Sequence, residues 1–307
     1  MNHNPIVSVI IPNYNHAKYL DERIQSVLAQ TYQNFEIIIL DDHSTDNSVE
    51  VIEKYRSNPH VSHIVINEEN SGSTFKQWNK GFELAKGELI WIAESDDKCE
   101  ATFLEELIIP FTNDDKCVLS YCLSMRFDDS GKLYDKYRDQ GPEELLLGEK
   151  YISFYMSRGS AIKNASSALI KKEVALQIDN RYTGFKGAGD RLFWVFIAEQ
   201  GHVAIVKKYL NLFRQHGLNS TNKYYLKGIN QKEDKYILDY ILNKGYINPI
   251  QYKIRRIQYI RFGLLSKEFE NDLVKRETFK LWNVGPLDMF LAYLYSIYRF
   301  IRIKLTA

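Results

Sequence analysis

Leu89-Ile90-Trp91-Ile92-Ala93-Glu94-Ser95-Asp96-Asp97 decides how this chain is read. Five apolar residues, a length that suits a buried strand, stop abruptly at a tip with three carboxylates. Carboxylates gathered at the mouth of a buried strand must be neutralised, protonated or given a cation. Hard divalent ions take oxygen ligands and are often shared with substrate phosphates, so the tip suggests a metal–diphosphate site. Asp96 and Asp97 equally suit the cap of a helix beginning near Ala101, and taken alone the pair favours that ordinary role.

Toward the N-terminus, two further segments shift the balance. Glu36-Ile37-Ile38-Ile39-Leu40 ends at Asp41-Asp42-His43-Ser44-Thr45-Asp46, with a helix start signalled by Thr45 or Asp46 ahead of Val49 and Ile52. Val7-Ser8-Val9-Ile10-Ile11 ends at Pro12-Asn13-Tyr14-Asn15. Helical spacing covers residues 18–29, the stretch after Asp46, and residues 75–85; residues 61–67 and 89–93 read as the third and fourth strands. This alternation predicts an α/β fold with a mostly parallel sheet covered by helices on both faces. Ligands of such sheets lie beyond the carboxyl ends of the strands, so one site can gather all three tips.

VSVIIPNYNHAKYL (residues 7–20), LDDHSTDNS (40–48) and GELIWIAESDD (87–97), in this order and spacing, resemble a family-2 glycosyltransferase of the GT-A fold. The resemblance spans about the first two thirds of the chain. It implies inverting transfer of a sugar from a nucleotide-diphosphate donor, a UDP-sugar, to a glycan or lipid-linked acceptor of a bacterial-type surface polysaccharide. A divalent cation, Mn²⁺ or Mg²⁺, is implied with it. By the same resemblance Pro12, Tyr14 and Asp42 hold the nucleotide base, Asp96 lies near the ribose and Asp97 binds the metal. Glu94 stands where many relatives have aspartate, so its contact with the donor sugar differs. Gly72 reads as a turn residue taking positive φ and, compatibly, as a close approach to the diphosphate. Asn79 falls within a helix and reads as packing.

Downstream, residues 118–127 are strand-like, residues 148–157 helical, and residues 159–167 small and poor in charge, as an acceptor-facing segment could be. Gly184-Phe185-Lys186-Gly187-Ala188-Gly189-Asp190 then precedes a strongly apolar helix. Asp190 matches the aspartate that serves the family as catalytic base, while Gly189 replaces the usual glutamate. Inverting displacement needs one base for the acceptor proton. Against this, aspartate is a favoured N-cap, and a helix N-terminus lowers carboxylate basicity. Arg214-Gln215-His216 resembles an Arg-x-His segment whose histidine lies near metal or diphosphate; a solvated loop histidine is the ordinary alternative.

The 307 residues carry 40 Lys and Arg against 39 Asp and Glu, which removes any overall charge argument for nucleic acid. The balance conceals an asymmetry: residues 218–307 hold 16 basic and 8 acidic residues, residues 1–217 hold 24 and 31. Residues 1–217 are therefore read as the catalytic domain, with a nucleotide-sugar half to about 115 and an acceptor half from 116. Residues 218–307 read as a helical appendage, with helices near 224–242, 250–265 and 267–282. Its end, residues 287–307, is rich in aromatics and closes in cations, which suits an anionic membrane surface, or packing on its own domain or a second subunit in a homodimer. Cys99, Cys117 and Cys122 form no disulfide framework or zinc spacing, and the polar start shows no signal peptide. A cytoplasmic protein, peripheral on the inner face of the membrane, is expected. A non-catalytic nucleotide-sugar-binding subunit is the alternative; a nucleotidyltransferase would carry a Gly-rich basic loop where Pro12-Asn13-Tyr14-Asn15 stands.

Overall fold

Runs of β-branched residues are stiff at χ1 and suit a pleated surface, and here they form strands linked by helices. The computed structural model describes residues 4–136, 144–216, 221–265 and 268–306. It divides into two units, the first comprising 1–148, 162–183 and 193–217, the second 149–161, 184–192 and 218–307. The boundary expected at Gly217 and Leu218 lies outside the described residues. The second unit also claims two stretches, 149–161 and 184–192, that the sequence reading gave to the catalytic domain.

The first unit starts β1 (Val7–Asn13), α1 (Ala17–Leu28), β2 (Phe35–Asp41), α2 (Ser48–Glu53), β3 (Val61–Ile66), α3 (Thr74–Leu84), β4 (Leu89–Ile92). Because each return is helical, β1 pairs in parallel with β2 and β4, and β2 with β3. Along the chain then come β5 (Lys98–Cys99), α4 (Phe103–Asn113), β6 (Cys117–Phe127), β7 (Leu133–Lys136), β8 (Leu145–Leu147), α5 (Gly148–Phe154), β9 (Ala168–Lys171), α6 (Lys172–Gln177), α7 (Gly189–Ala198) and β10 (His202–Arg214), of which α5 from residue 149 and α7 up to residue 192 belong to the second unit. The sheet runs β3-β2-β1-β4-β9-β6-β10-β5. β9 is antiparallel to both β4 and β6, while β6 and β10 are parallel, so the sheet is mixed beyond its first four strands.

All seven residues of β1 are buried, as expected of a strand covered on both faces. Val7, Val9 and Ile11 point to one face and join Leu20, Ile24, Trp91, Phe103 and Leu107 in the main core. Ile10 points to the other and meets α3, where a Cβ on Gly81 would lie 2.5 Å from its side chain. That close approach requires glycine.

The second unit is helical, as read from sequence: α8 (Thr221–Leu226), α9 (Ile229–Asn243), α10 (Pro249–Tyr259), α11 (Asp272–Leu281) and α12 (Pro286–Thr306). Asn248 and Gln251 form a capping box for α10, with Pro249 in the first turn. α12 turns its polar side inward: Arg256 reaches Asp288, and Gln258 Nε2 donates to Tyr295 Oη at 3.0 Å. Among the described residues no helix is long and apolar enough to cross a membrane.

Candidate active site

The carboxyl ends of β1 and β2 are tied together by short polar side chains. Asn13 donates to Asp41 at 2.7 Å, and the backbone N–H groups of Asn15 and Ala17 donate to Ser44 and Asp46, both at 2.9 Å. Asn15 and His43 hold positive φ of 57° and 62°, uncommon for residues other than glycine, so these turns are fixed by their partners. Pro12 is buried, whereas Tyr14 is 47 % exposed and available for stacking. Asp42 accepts from Asn67, the Ser71 backbone and hydroxyl, and Gln77 at 2.7–2.9 Å, which fixes the turn containing Gly72. Gly72 has φ +73°, with its N–H donated to Asn70 at 2.7 Å. Asn79 accepts from the Tyr182 hydroxyl, in keeping with packing.

At the acidic tip the two adjacent aspartates part ways. Asp97 is fully buried; its oxygens accept from Asn164, from Ser166 at 2.7 Å and from the Arg214 backbone N–H at 2.9 Å. Arg23, also fully buried, lies 4.0 Å away and balances the charge. Asp97, read from sequence as a metal ligand, thus has protein donors on both of its carboxylate oxygens. Asn164 and Ser166, from the segment 159–167 read as acceptor-facing, supply two arms of this clamp. Arg214, read as a structural or phosphate-facing cation, also binds the Asp96 carbonyl at 2.8 Å and pairs with Glu22. Glu94 accepts from the indole of Trp78 at 3.1 Å, and burial, with Asp96 and Asp97 adding to it, pushes its carboxyl up to about 8.

Asp96 faces the other way. His216 Nε2 lies 2.9 Å from its carboxylate, and His16 completes a group whose ligand atoms fall within 4.8 Å of one another. His16 Nδ1 shares a hydrogen bond with Ser95 at 2.8 Å, leaving Nε2 for a ligand. Burial, opposed by Asp96, holds the His16 imidazole below its ordinary pKa, and a neutral imidazole is the ligating form. Burial alone would raise Asp96; the hydrogen bond and charge of the two histidines carry it below the usual range. Two imidazoles and one carboxylate are a donor set that fits a divalent ion of borderline hardness and leaves positions for phosphate oxygens. His216 is a candidate from sequence, whereas His16 is not singled out there. The only signal was a histidine just past a strand tip.

Asp190 belongs to the second unit. It is the second residue of α7 rather than its cap, and it is partly buried. Burial raises its carboxyl to about 6, Asp234 and Glu233 adding to the rise and Arg191 opposing it. Desolvation thus outweighs the Arg191 backbone hydrogen bond and charge, which lower it.

The profile of Glycosyl transferase family 2 matches residues 8–178, more than half of the chain. The chain belongs to that family. Among similar family-2 glycosyltransferases, GlyG of Streptococcus pneumoniae is 34% identical over 55% of this chain, a match spanning 58% of GlyG. TuaG of Bacillus subtilis, named a putative teichuronic acid biosynthesis glycosyltransferase, is 35% identical over 66% of this chain and 76% of TuaG. A structure of TarS residues 1-349 from S. aureus with UDP-GlcNAc has TM-score 0.69 at 18% identity, covering 90% of this chain and 80% of that one. Mannosyltransferase PcManGT from Pyrobaculum calidifontis, with GDP-Man and Mn²⁺, has TM-score 0.58 at 15% identity over 98% and 81%. At these identities the structures show the fold, GT-A, with its central sheet and flanking helices.

Proposed function

We propose that this family-2 protein is an inverting transferase that moves a sugar from a nucleotide diphosphate, a UDP-sugar, to a hydroxyl of a glycan or lipid-linked acceptor. The carrying observation is the convergence of His16, Asp96 and His216 beyond the ends of β1, β4 and β10. Complexes of TarS with UDP-GlcNAc and of PcManGT with GDP-Man and Mn²⁺ support a nucleotide-sugar donor and a divalent ion. Pro12, Tyr14 and Asp42 line the base, Gly72 gives the diphosphate access to backbone, and Glu94 faces the donor sugar. His16, Asp96 and His216 would hold a divalent cation, whose contribution when bound would be to neutralise the departing diphosphate. Asp190 takes the acceptor hydroxyl proton as that oxygen bonds to the anomeric carbon and the carbon–phosphate-oxygen bond breaks. The naming of TuaG for teichuronic acid biosynthesis supports surface-polysaccharide synthesis, and the outward apolar side of α12 supports work at the inner membrane face.

The test is Asp190→Asn assayed against a panel of nucleotide sugars. Transfer should disappear while UDP affinity by calorimetry stays unchanged; undiminished turnover removes Asp190 from the mechanism. Because its raised carboxyl is protonated below about 6, kcat/KM of the native protein should fall as pH drops through about 6. A rate that holds steady through that range counts against the assignment.

A further inference from the structure

The loop that delivers Asp190 is poorly suited to hold itself. Gly184, Gly187 and Gly189 lie within six residues, and glycine loses more backbone freedom on ordering than any other residue. The restraint comes from one face of α9, where Asn230, Glu233 and Asp234 stand at i, i+3 and i+4. The Glu233 carboxylate accepts three successive backbone N–H groups: Lys186 at 2.8 Å, Gly187 at 2.8 Å and Ala188 at 2.6 Å. Charge-assisted bonds of this kind are the stronger class. Asn230 Nδ2 donates to the Gly187 carbonyl at 3.1 Å, and a Cβ on Gly187 would lie 2.6 Å from Asn230 Oδ1. On the other side of Asp190, buried Arg191 donates to Asp234 at 2.6 Å and to the Met156 carbonyl through Nε and Nη2. Its guanidinium lies 5.2 Å over the Tyr259 ring.

We infer that Glu233, flanked by Asn230 and Asp234, is the positioning residue for Asp190: α9 holds the chain immediately before and after the base. This rests on Asp190 being the base. A misplacement of about 1 Å can cost on the order of a hundredfold in rate, so a gripped backbone on both sides has a direct kinetic meaning. The groups that bear on Asp190 electrostatically are Arg191, Asp234, Glu233 and, through its own titration, Tyr225. Of these, Glu233 alone also bonds the loop.

The full-length protein and its Glu233→Gln, Glu233→Ala and Gly187→Ala variants are compared for kcat, donor KM, thermal midpoint and pH–rate profile, with Asp190→Asn as reference. Glu233→Gln should lower kcat about tenfold or more with donor KM unchanged. Its acid limb should move to lower pH, because the lost negative charge had raised the base. Gly187→Ala, which crowds Asn230 while leaving Glu233 intact, should reproduce the kcat loss and carries the test if Glu233 variants do not fold. Full kcat in Glu233→Gln and Gly187→Ala, with Asp190→Asn inactive, overturns the positioning role and spares the base. So does a loss matched by a lower thermal midpoint with an unmoved acid limb. An active Asp190→Asn instead removes the base itself.

Discussion

Asp96 and Asp97 show how far one position can carry two residues of the same type. In sequence they are interchangeable; in the fold one meets His16 and His216 and the other meets Asn164, Ser166 and Arg214. What separates them comes from distant segments, residues 164–166 and 214–216, about seventy and about a hundred and twenty residues later, and no local pattern announces it. Mn²⁺ titrated without nucleotide and followed by electron paramagnetic resonance should bind about tenfold or more weakly after His16→Ala or His216→Ala. Imidazole ligands also favour Mn²⁺ over Mg²⁺, so equal affinity for the two ions would contradict a two-histidine site. Asp97→Ala leaves the buried donors of Asn164, Ser166 and the Arg214 backbone without their acceptor and should cost about 1–3 kcal/mol, read in chemical denaturation. Asp190 was legible as a candidate but its raised carboxyl was not, since burial and the charges of Asp234 and Glu233, more than forty residues later, cause it.

Elements were the most legible level. The four leading strands and three helices fall within a few residues of where periodicity places them, because each is a long apolar pattern closed by turn chemistry. β9 was hidden: Ala168–Lys171 is four residues long, and its place between β4 and β6 is a matter of topology alone. The composition of α12 was plain from sequence, but not which side would face out. Leu287, Phe290, Leu291, Leu294, Ile297 and Tyr298, spaced as one helical stripe, are all exposed, Leu287 by 67 % and Phe290 by 58 %. Phe290→Ser with Leu294→Ser should release the protein from sedimenting vesicles rich in anionic lipid, with little change in thermal midpoint. Retention on the vesicles would assign the stripe to another partner.

For the molecule as a whole, the division that matters is not the one drawn by composition. A charge asymmetry set the expected boundary near 217, yet residues 184–192 fold with helices from beyond it. A chain ending at residue 217 loses α9 and with it Glu233, so it should show no transfer even if soluble, measured as UDP release against the intact protein. Retained transfer would mean that Asp190 needs no support from α9. The placement of β9 has a further consequence for how the chain is made. While a ribosome is still producing residues 100–160, β4 and β6 have no strand to join them, and the acidic tip lacks every donor that later closes around Asp97. The nascent polypeptide must therefore emerge past Arg214 before its most electrically strained turn is secured, and folding of this sheet is delayed by topology during synthesis.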